Sequence, residues 1–595
     1  MKKSKLCKAI AMATALGGLG VGAYLPTASA VNLPANSLGD VLIFPYYTTR
    51  DGYQTTLSFL NTDESNLIAV KFRFYEGYNS RDALDFNVLL SPGDVFAAVV
   101  EEGASGPVVR RAANDTTCTV PHIPFGNTTA NPPVPSGSLP ISTAAFSGNS
   151  LVFDAARANT DGGPADVDRL REGYVVAIVM GHYPVPGPSA ILNGAVHDSS
   201  GVNTEAECIA AANLFTQTAV KGGTAALFGE PINSLRGDYT LLNVARGTSV
   251  GGNAVALANF FTVTPLPTDT VSTVGVGPRP NCTVVFTDKF GYAGTPVAWD
   301  PNTSAASCPN LITAQQPFFF LEPTLNDAYP PEAVVFVNGV PGGTGSLGQN
   351  LGVTPLTWAP STSTVGSTDV DYGFLAVSEV LRARTIVNEW SVNPNLGVES
   401  AWVITHPTKA FFVDRDGFDS PQASVNTLRF PGTLGAASVP PIAVDGFLAP
   451  FARTFNGTSC NQVGFRLYNR DEVGNSPSAG GVVPSPAQPL ANLSLCYETN
   501  VIPFTSDNFV FNSVLLPSLV DQLYESVDKV AGADPSMLKP FGWMRLDLDT
   551  DPQAKNGTTT LAGPGLPAVG FMLRQRVIPG TADTYSDISD HSVKR

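Results

Sequence analysis

Charge is what this sequence has least of. Asp, Glu, Lys and Arg together make up 14% of the 595 residues, against about 25% in an ordinary globular chain. The 34 basic residues are outnumbered by 50 acidic ones, which argues against nucleic acid and anionic membrane as partners, because both are held by basic surfaces. Histidine is scarce as well. The five, His122, His182, His197, His406 and His591, stand apart with no HxH or HExxH spacing, so a histidine-held zinc site has nothing to rest on. The cysteines show neither CxxC nor CxxCH, which removes thiol exchange, haem attachment and zinc ribbons. An α/β-hydrolase nucleophile is not expected, and no arrangement favours a trypsin-like triad. Repeats of 20 to 50 residues are also missing, which argues against solenoids and propellers.

What is present begins at the N-terminus. Lys2, Lys3, Lys5 and Lys8 precede an apolar run from Ala9 to Leu25, and Ala28-Ser29-Ala30 supplies a small-x-small cleavage pattern, the features of an export signal occupying 1–30. Gly17, Gly18, Gly20 and Gly22 interrupt the run and Pro26 follows it, so a membrane anchor is the weaker reading. Cleavage before Val31 removes four lysines and no acids, taking the net charge from −16 to about −20. It also removes Cys7, leaving six cysteines in an oxidising compartment, where disulfides are the default. Loop-closure entropy favours neighbours in sequence: Cys118 with Cys208, Cys282 with Cys308 and Cys460 with Cys496.

Gly (56) and Pro (49) are plentiful, and Phe (33) outnumbers Tyr and Trp combined. Alternating β segments start soon after the cleavage site, at 40–47, 55–60, 68–75, 84–90 and 95–100. Val70, Phe72 and Phe74 share one face and Lys71 and Arg73 the other, the pattern of a half-buried strand. Ser91-Pro92-Gly93-Asp94 reads as the turn of a hairpin. Residues 119–149 read as an insertion loop, 174–180 as a strand buried on both faces, and 239–244 and 254–263 as further strands. A helix is expected at 205–215. The Pro/Thr/Gly stretch 264–280 marks a domain boundary. Later strands are expected at 333–337, 402–405, 409–413, 463–468, 491–496, 509–516, 543–548 and 569–577, and helices at 374–389 and 519–530.

The expected fold is therefore mainly β, with two or three antiparallel β-sandwich domains of Ig-like or jelly-roll-like kind, a few short helices and long Pro/Gly-rich loops. The divisions are 31–265 with its loop insertion, 266–440 as a middle β-rich region, and 441–595 as a C-terminal β-rich domain. An outer-membrane barrel is disfavoured by the polar ending 585–595.

Acidic clusters are the main candidates for a polar site. Asp547, Asp549 and Asp551 alternate at the end of a strand, which places their carboxylates on one face, where Ca2+ would gather oxygen ligands. Pro552 and Thr558 stand where an EF-hand has Gly and Glu. The segment 414–419 resembles such a loop only loosely, and a solvated acidic strand edge is the rival reading. Paired carboxylates for glycoside hydrolysis would need a cleft that spacing does not show. Aromatic doublets such as Tyr46-Tyr47, Phe260-Phe261 and Phe411-Phe412, with Phe318-Phe319-Phe320, are expected to put one ring inside and one outside or in an interface. Exposed rings suit sugar stacking; burial between sheets explains the doublets equally.

Several stretches resemble a family of uncharacterised exported proteins of Gram-negative bacteria, commonly described as surface proteins. They are Gly39-Asp40-Val41-Leu42-Ile43-Phe44-Pro45-Tyr46-Tyr47, 69–76, Asp85-Phe86-Asn87 with Leu90-Ser91-Pro92, Arg171-Glu172-Gly173-Tyr174, and Trp402-Val403-Ile404-Thr405-His406-Pro407-Thr408-Lys409. The resemblance implies export and fold, and no ligand or catalytic residue. The expected function is an exported structural or surface-associated protein without catalysis, assembling with itself into a coat, layer or filament or with another envelope component. The alternative is an extracellular binding module for a glycan or apolar ligand. A hydrolase with an unrecognised site is the third reading, requiring a cleft where carboxylates converge.

Overall fold

A computed structural model of the chain describes residues 31–141, 164–260, 373–413, 458–471, 491–531, 541–548, 565–577 and 584–595 apart from short gaps, with brief pieces at 323–325 and 443–451. The expected signal, the 264–280 boundary, the strand at 333–337, the loop 414–419, the Cys282 and Cys308 pair, Phe261, Phe318-Phe319-Phe320, Asp549 and Asp551 all lie outside the described residues.

The N-terminal strands are β1 (Val41–Thr48), β2 (Tyr53–Asn61), β3 (Asn66–Glu76), β4 (Asp82–Leu90), β5 (Val95–Gly103), β6 (Gly106–Arg111), β7 (Cys118–Val120), β8 (Ser138–Pro140), β9 (Glu172–Pro184), β10 (Leu235–Asn243), β11 (Thr248–Asn253) and β12 (Val255–Leu257). They form two open antiparallel sheets, ordered β12-β1-β9-β3-β4-β7 and β11-β10-β2-β5-β6-β8. The C-terminal strands are β13 (Arg382–Ala383), β14 (Thr385–Ser391), β15 (Val398–Thr405), β16 (Ala443–Val444), β17 (Phe447–Leu448), β18 (Asn461–Asn469), β19 (Ala491–Leu495), β20 (Thr499–Pro503), β21 (Phe541–Asp547), β22 (Leu566–Pro567), β23 (Val569–Arg576), β24 (Tyr585–Asp590) and β25 (Ser592–Lys594). Their two main sheets are β19-β18-β21-β14-β25 and β20-β15-β23-β24. The chain is thus mainly β and sandwich-like, as composition and alternation imply. Strands β14 and β15, from 385–405, interleave with strands from 461–594 in the same two sheets, while β13 and β22 pair with each other apart.

The two sandwiches share their cores. In β15, Ala401 and Val403 enter the same apolar cluster as Phe44, Phe59, Phe72 and Phe96 of the first sandwich. Its alternate residues, Trp402 and Ile404, enter the second cluster with Trp390, Phe465 and Met544. The same division splits β9, with Val175 and Ala177 in one cluster and Tyr174 and Val176 in the other. Strands buried on both faces read as unbroken apolar runs, which is why 174–180 was legible as one. Two disulfides, Cys118–Cys208 and Cys460–Cys496, are formed. The first ties β7 to the helix Glu205–Ala212, whose start is fixed by a capping box between Thr204 and Glu207,.

Several local expectations are corrected. Strand β3 is buried on both faces, not half-buried: Lys71 pairs with Asp85 across the β3–β4 ladder at 2.8 Å, and Arg73 pairs with Asp82. Partnered cations are tolerated where lone ones are not. The Ser91–Asp94 turn forms, with Gly93 at φ +71° and Asp94 N–H donating to Ser91 O at 3.1 Å. It is not a hairpin, because β4 and β5 belong to opposite sheets, and their Phe86 and Phe96 rings meet across the sandwich at 6.1 Å. Within the expected insertion loop, 138–140 adds edge strand β8. Residues 409–413 form a helical turn rather than a strand. The expected helix 374–389 ends at Leu381, and β-branched Thr385, Ile386 and Val387 continue as β14,. Residues 510–516 carry no strand. Both rings of Tyr46-Tyr47 are buried, because a bulge in the β1–β9 ladder between Phe44 and Tyr47 breaks the alternation,.

Candidate functional site

The residues expected to bind calcium are only partly described. Asp547 ends β21 and is 7% exposed. Its carboxylate accepts from Arg545 Nε at 2.6 Å and lies 3.9 Å from Arg466 Nε. Arg466 and Arg545 are direct cross-strand partners, a like-charge pairing that is destabilising unless an anion sits between them. Asp547 therefore already has its positive charge. Among the described residues, no group of three or more His, Cys, Asp or Glu is placed to hold a metal ion.

The chain does carry one letter match to the α/β-hydrolase motif, against the expectation of none. Gly247-Thr248-Ser249-Val250-Gly251 fits GxSxG by letter. It lies in the hairpin between β10 and β11, with Ser249 exposed and its carbonyl accepting from Ser586 Oγ at 2.8 Å. A nucleophile elbow needs a strand running into a helix, so this match is a sheet corner.

A set of buried, hydrogen-bonded charged groups lies in the seam between the sandwiches. Glu172, fully buried, accepts from Arg50 Nε (2.6 Å), Tyr46 Oη (2.8 Å), Ser513 Oγ (2.6 Å) and the Val514 amide (2.9 Å). Glu76 accepts a two-pronged contact from Arg169 at 2.8 and 3.0 Å, plus the amides of Tyr78, Asn79 and Arg81. Lys409 donates to the carbonyls of Cys496 and Tyr497 at 2.9 and 3.1 Å. Burial pushes Lys409 down to about 8 against the opposing pull of Glu498. Burial likewise pushes Glu498 up to about 8, opposed by Lys409. Burial and then the Lys409 charge drive His406 down to about 3, against a bond from its Nδ1 to Pro567 O at 2.6 Å. Shifted groups mark reactive sites only when substrate reaches them. His406, Lys409 and Glu498 are each 1% exposed, and most of their partners are backbone groups. They pin β15, β20 and the 409–413 turn together.

A different arrangement opens at the rim of the second sandwich. A cleft of about 720 Å³ collects Glu389 and Ser391 from β14, Asn393 and Leu396 from the connection to β15, Asn469 at the end of β18 and Arg470 after it, Phe541 to Trp543 from β21, Arg574 and Arg576 from β23, and Tyr585 from β24. Its size falls in the usual range of small-molecule sites, roughly 300–1,000 Å³. Strand register explains the lining. On β21, Met544 and Leu546 point into the core, so Trp543 lies on the opposite face, between Glu389 of β14 and Tyr468 of β18. Trp543 is 41% exposed and stacks on Tyr468, centroids 4.5 Å apart and planes 18° from parallel. Gly542 permits the close pairing, since a side chain there would meet the Tyr468 carbonyl at 1.7 Å. Arg470 stacks over Phe541 at 4.9 Å. Arg574 bonds Asp587 at 2.7 Å and Glu389 at 3.3 Å. Arg576 donates from Nε to Leu396 O at 3.3 Å.

Chemically, the cleft offers the indole of Trp543, one face backed by Tyr468, with guanidinium and amide donors around it. Such a surface suits a flat-faced polar molecule. Of its lining residues, sequence reading anticipated only the general point that exposed rings suit sugar stacking. Fold and site together define a disulfide-stapled, mainly β protein with an open cleft at the rim of its second sandwich. No family model, curated protein or solved structure matches the chain.

Proposed function

We propose that this chain is an exported, non-catalytic β-sandwich protein of the periplasm or cell surface that acts by binding, and that the rim cleft takes a glycan. The observation that carries the reading is the Trp543 indole, 41% exposed in a cleft and held in place by the Tyr468 ring stacked on one of its faces. Aromatic faces pack against the C–H faces of sugars, while Asn393 and the arginines supply the hydrogen bonding that fixes orientation. Export is supported by the N-terminal pattern and by the two formed disulfides,. Among the described residues, no helix is long and apolar enough to cross a membrane. A glycan array probed with the purified mature chain tests the proposal. Hits that vanish in Trp543→Ala, with the unfolding midpoint unchanged, support it; an empty array retires it.

Self-assembly into a coat, layer or filament is the second reading. What favours it is β25, an edge strand of its sheet with no residue buried. Unpaired edges are templates for another chain. Analytical ultracentrifugation and negative-stain microscopy decide this reading: a monodisperse monomer at all concentrations ends it.

A further inference from the structure

We infer that the rim cleft selects a carboxylated glycan, one carrying uronate sugars, over its neutral counterpart; this rests on the glycan reading above and specifies its ligand. Charge is the argument. The chain as a whole is acidic, at −16, yet the residues lining the cleft include three arginines, Arg470, Arg574 and Arg576, against one acid, Glu389. A positive cleft on an acidic protein concentrates anions locally and repels them elsewhere.

The three arginines are not equivalent. Arg574 is committed, its two terminal nitrogens bonded to Asp587 and Glu389. Arg576 spends only its Nε, on the Leu396 carbonyl. Arg470, exposed and lying over the Phe541 ring, forms no ion pair with a described residue. Two guanidinium groups in the cleft lining therefore keep open donor pairs, and the planar fork of a guanidinium matches a carboxylate in a two-point contact. Stacking on Phe541 limits the freedom of Arg470, so less entropy is lost when it engages a ligand. A uronate residue stacked near Trp543 brings both features together: ring face on the indole, carboxylate on Arg576 or Arg470. A neutral sugar uses only the first.

The test is isothermal titration of the purified mature chain with oligogalacturonate and with the same oligosaccharide as its methyl ester, at two ionic strengths. The acid form is expected to bind about tenfold or more tightly than the ester, as a charge-assisted two-point contact warrants, and to weaken as salt is raised. The double variant Arg470→Gln, Arg576→Gln is expected to bring acid and ester to the same affinity, and Trp543→Ala to weaken both. A second variant, Trp543→Phe, retains a ring and is expected to retain binding, which guards against misfolding as the cause. Equal binding of acid and ester by the wild-type chain overturns this inference and leaves the glycan reading standing. Binding of neither removes both.

Discussion

The seam and the cleft use the same side chains for opposite ends. In the seam, Arg50, Arg169, Glu76 and Glu172 are buried and hydrogen-bonded by groups of the chain itself. At the rim, Arg470 and Arg576 stand open beside an exposed indole and spend few of their donors on protein. A guanidinium sealed among its own partners acts as a structural clamp, and its charge is bearable only because those partners surround it. A guanidinium left with spare donors in water costs little and is available. Burial and satisfaction, more than residue type, separate scaffold from site.

The largest effect should come from breaking the clamp. Glu172→Ala leaves Arg50 with Asp168 as its remaining carboxylate but takes the acceptor from Tyr46 Oη, Ser513 Oγ and the Val514 amide. The loss is expected to be about 3–5 kcal/mol, since each buried donor left unsatisfied costs roughly 1–3 kcal/mol; urea unfolding followed by tryptophan fluorescence measures it. Next comes the staple. Replacing Cys118 and Cys208 together by Ser frees a 90-residue separation and is expected to cost about 2–4 kcal/mol, read as a lower urea midpoint.

The seam's titratable groups give a third, finer test, because two of them oppose each other. His406 is held down to about 3 in the folded protein, so its contribution is present above the unfolded value near 6.5 and is lost as pH falls. Glu498 is raised to about 8, so its contribution is present below the unfolded value near 4.5 and is lost as pH rises through 8. Between about pH 4.5 and 6.5 the two slopes, each at most about 1.4 kcal/mol per pH unit, cancel. Because His591 is also held down to about 3 and adds its own constant slope, the comparison is with the wild type. His406→Asn should make stability fall more steeply, or rise less steeply, as pH rises across that window, and Glu498→Gln should make it rise more steeply. Parallel slopes in the two variants would refute the account. The smallest effect on stability belongs to the cleft: Trp543→Ala should shift unfolding by less than about 1 kcal/mol, as expected for a half-exposed ring, while weakening any bound glycan.

Much of the fold was legible because it obeys short-range rules. Alternation at Val70, Phe72 and Phe74 and the unbroken run at 174–180 follow from strand geometry, and the spacing of Cys118 and Cys208 follows from loop entropy. The errors fall where distant segments decide. Lys71 and Arg73 look like a solvent face until Asp85 and Asp82 are set opposite them. Residues 374–389 fit a helix by period until β14 is seen docked between β21 and β25. Gly93 marks a turn in either case; only the packing of Phe86 on Phe96 shows that the turn changes sheets. The cleft was the least legible part, since its residues come from five separate stretches between Glu389 and Tyr585.

By itself the sequence determined the fold class of the protein: low charge, abundant turn residues and period-two alternation admit little but antiparallel sheets. Tertiary structure alone decided which charges are sealed and which are open. That choice depends on what lies across a ladder or between two sheets, and pairing partners hundreds of residues apart, such as Tyr53 and Gln575 at 2.7 Å, leave no local trace in the chain.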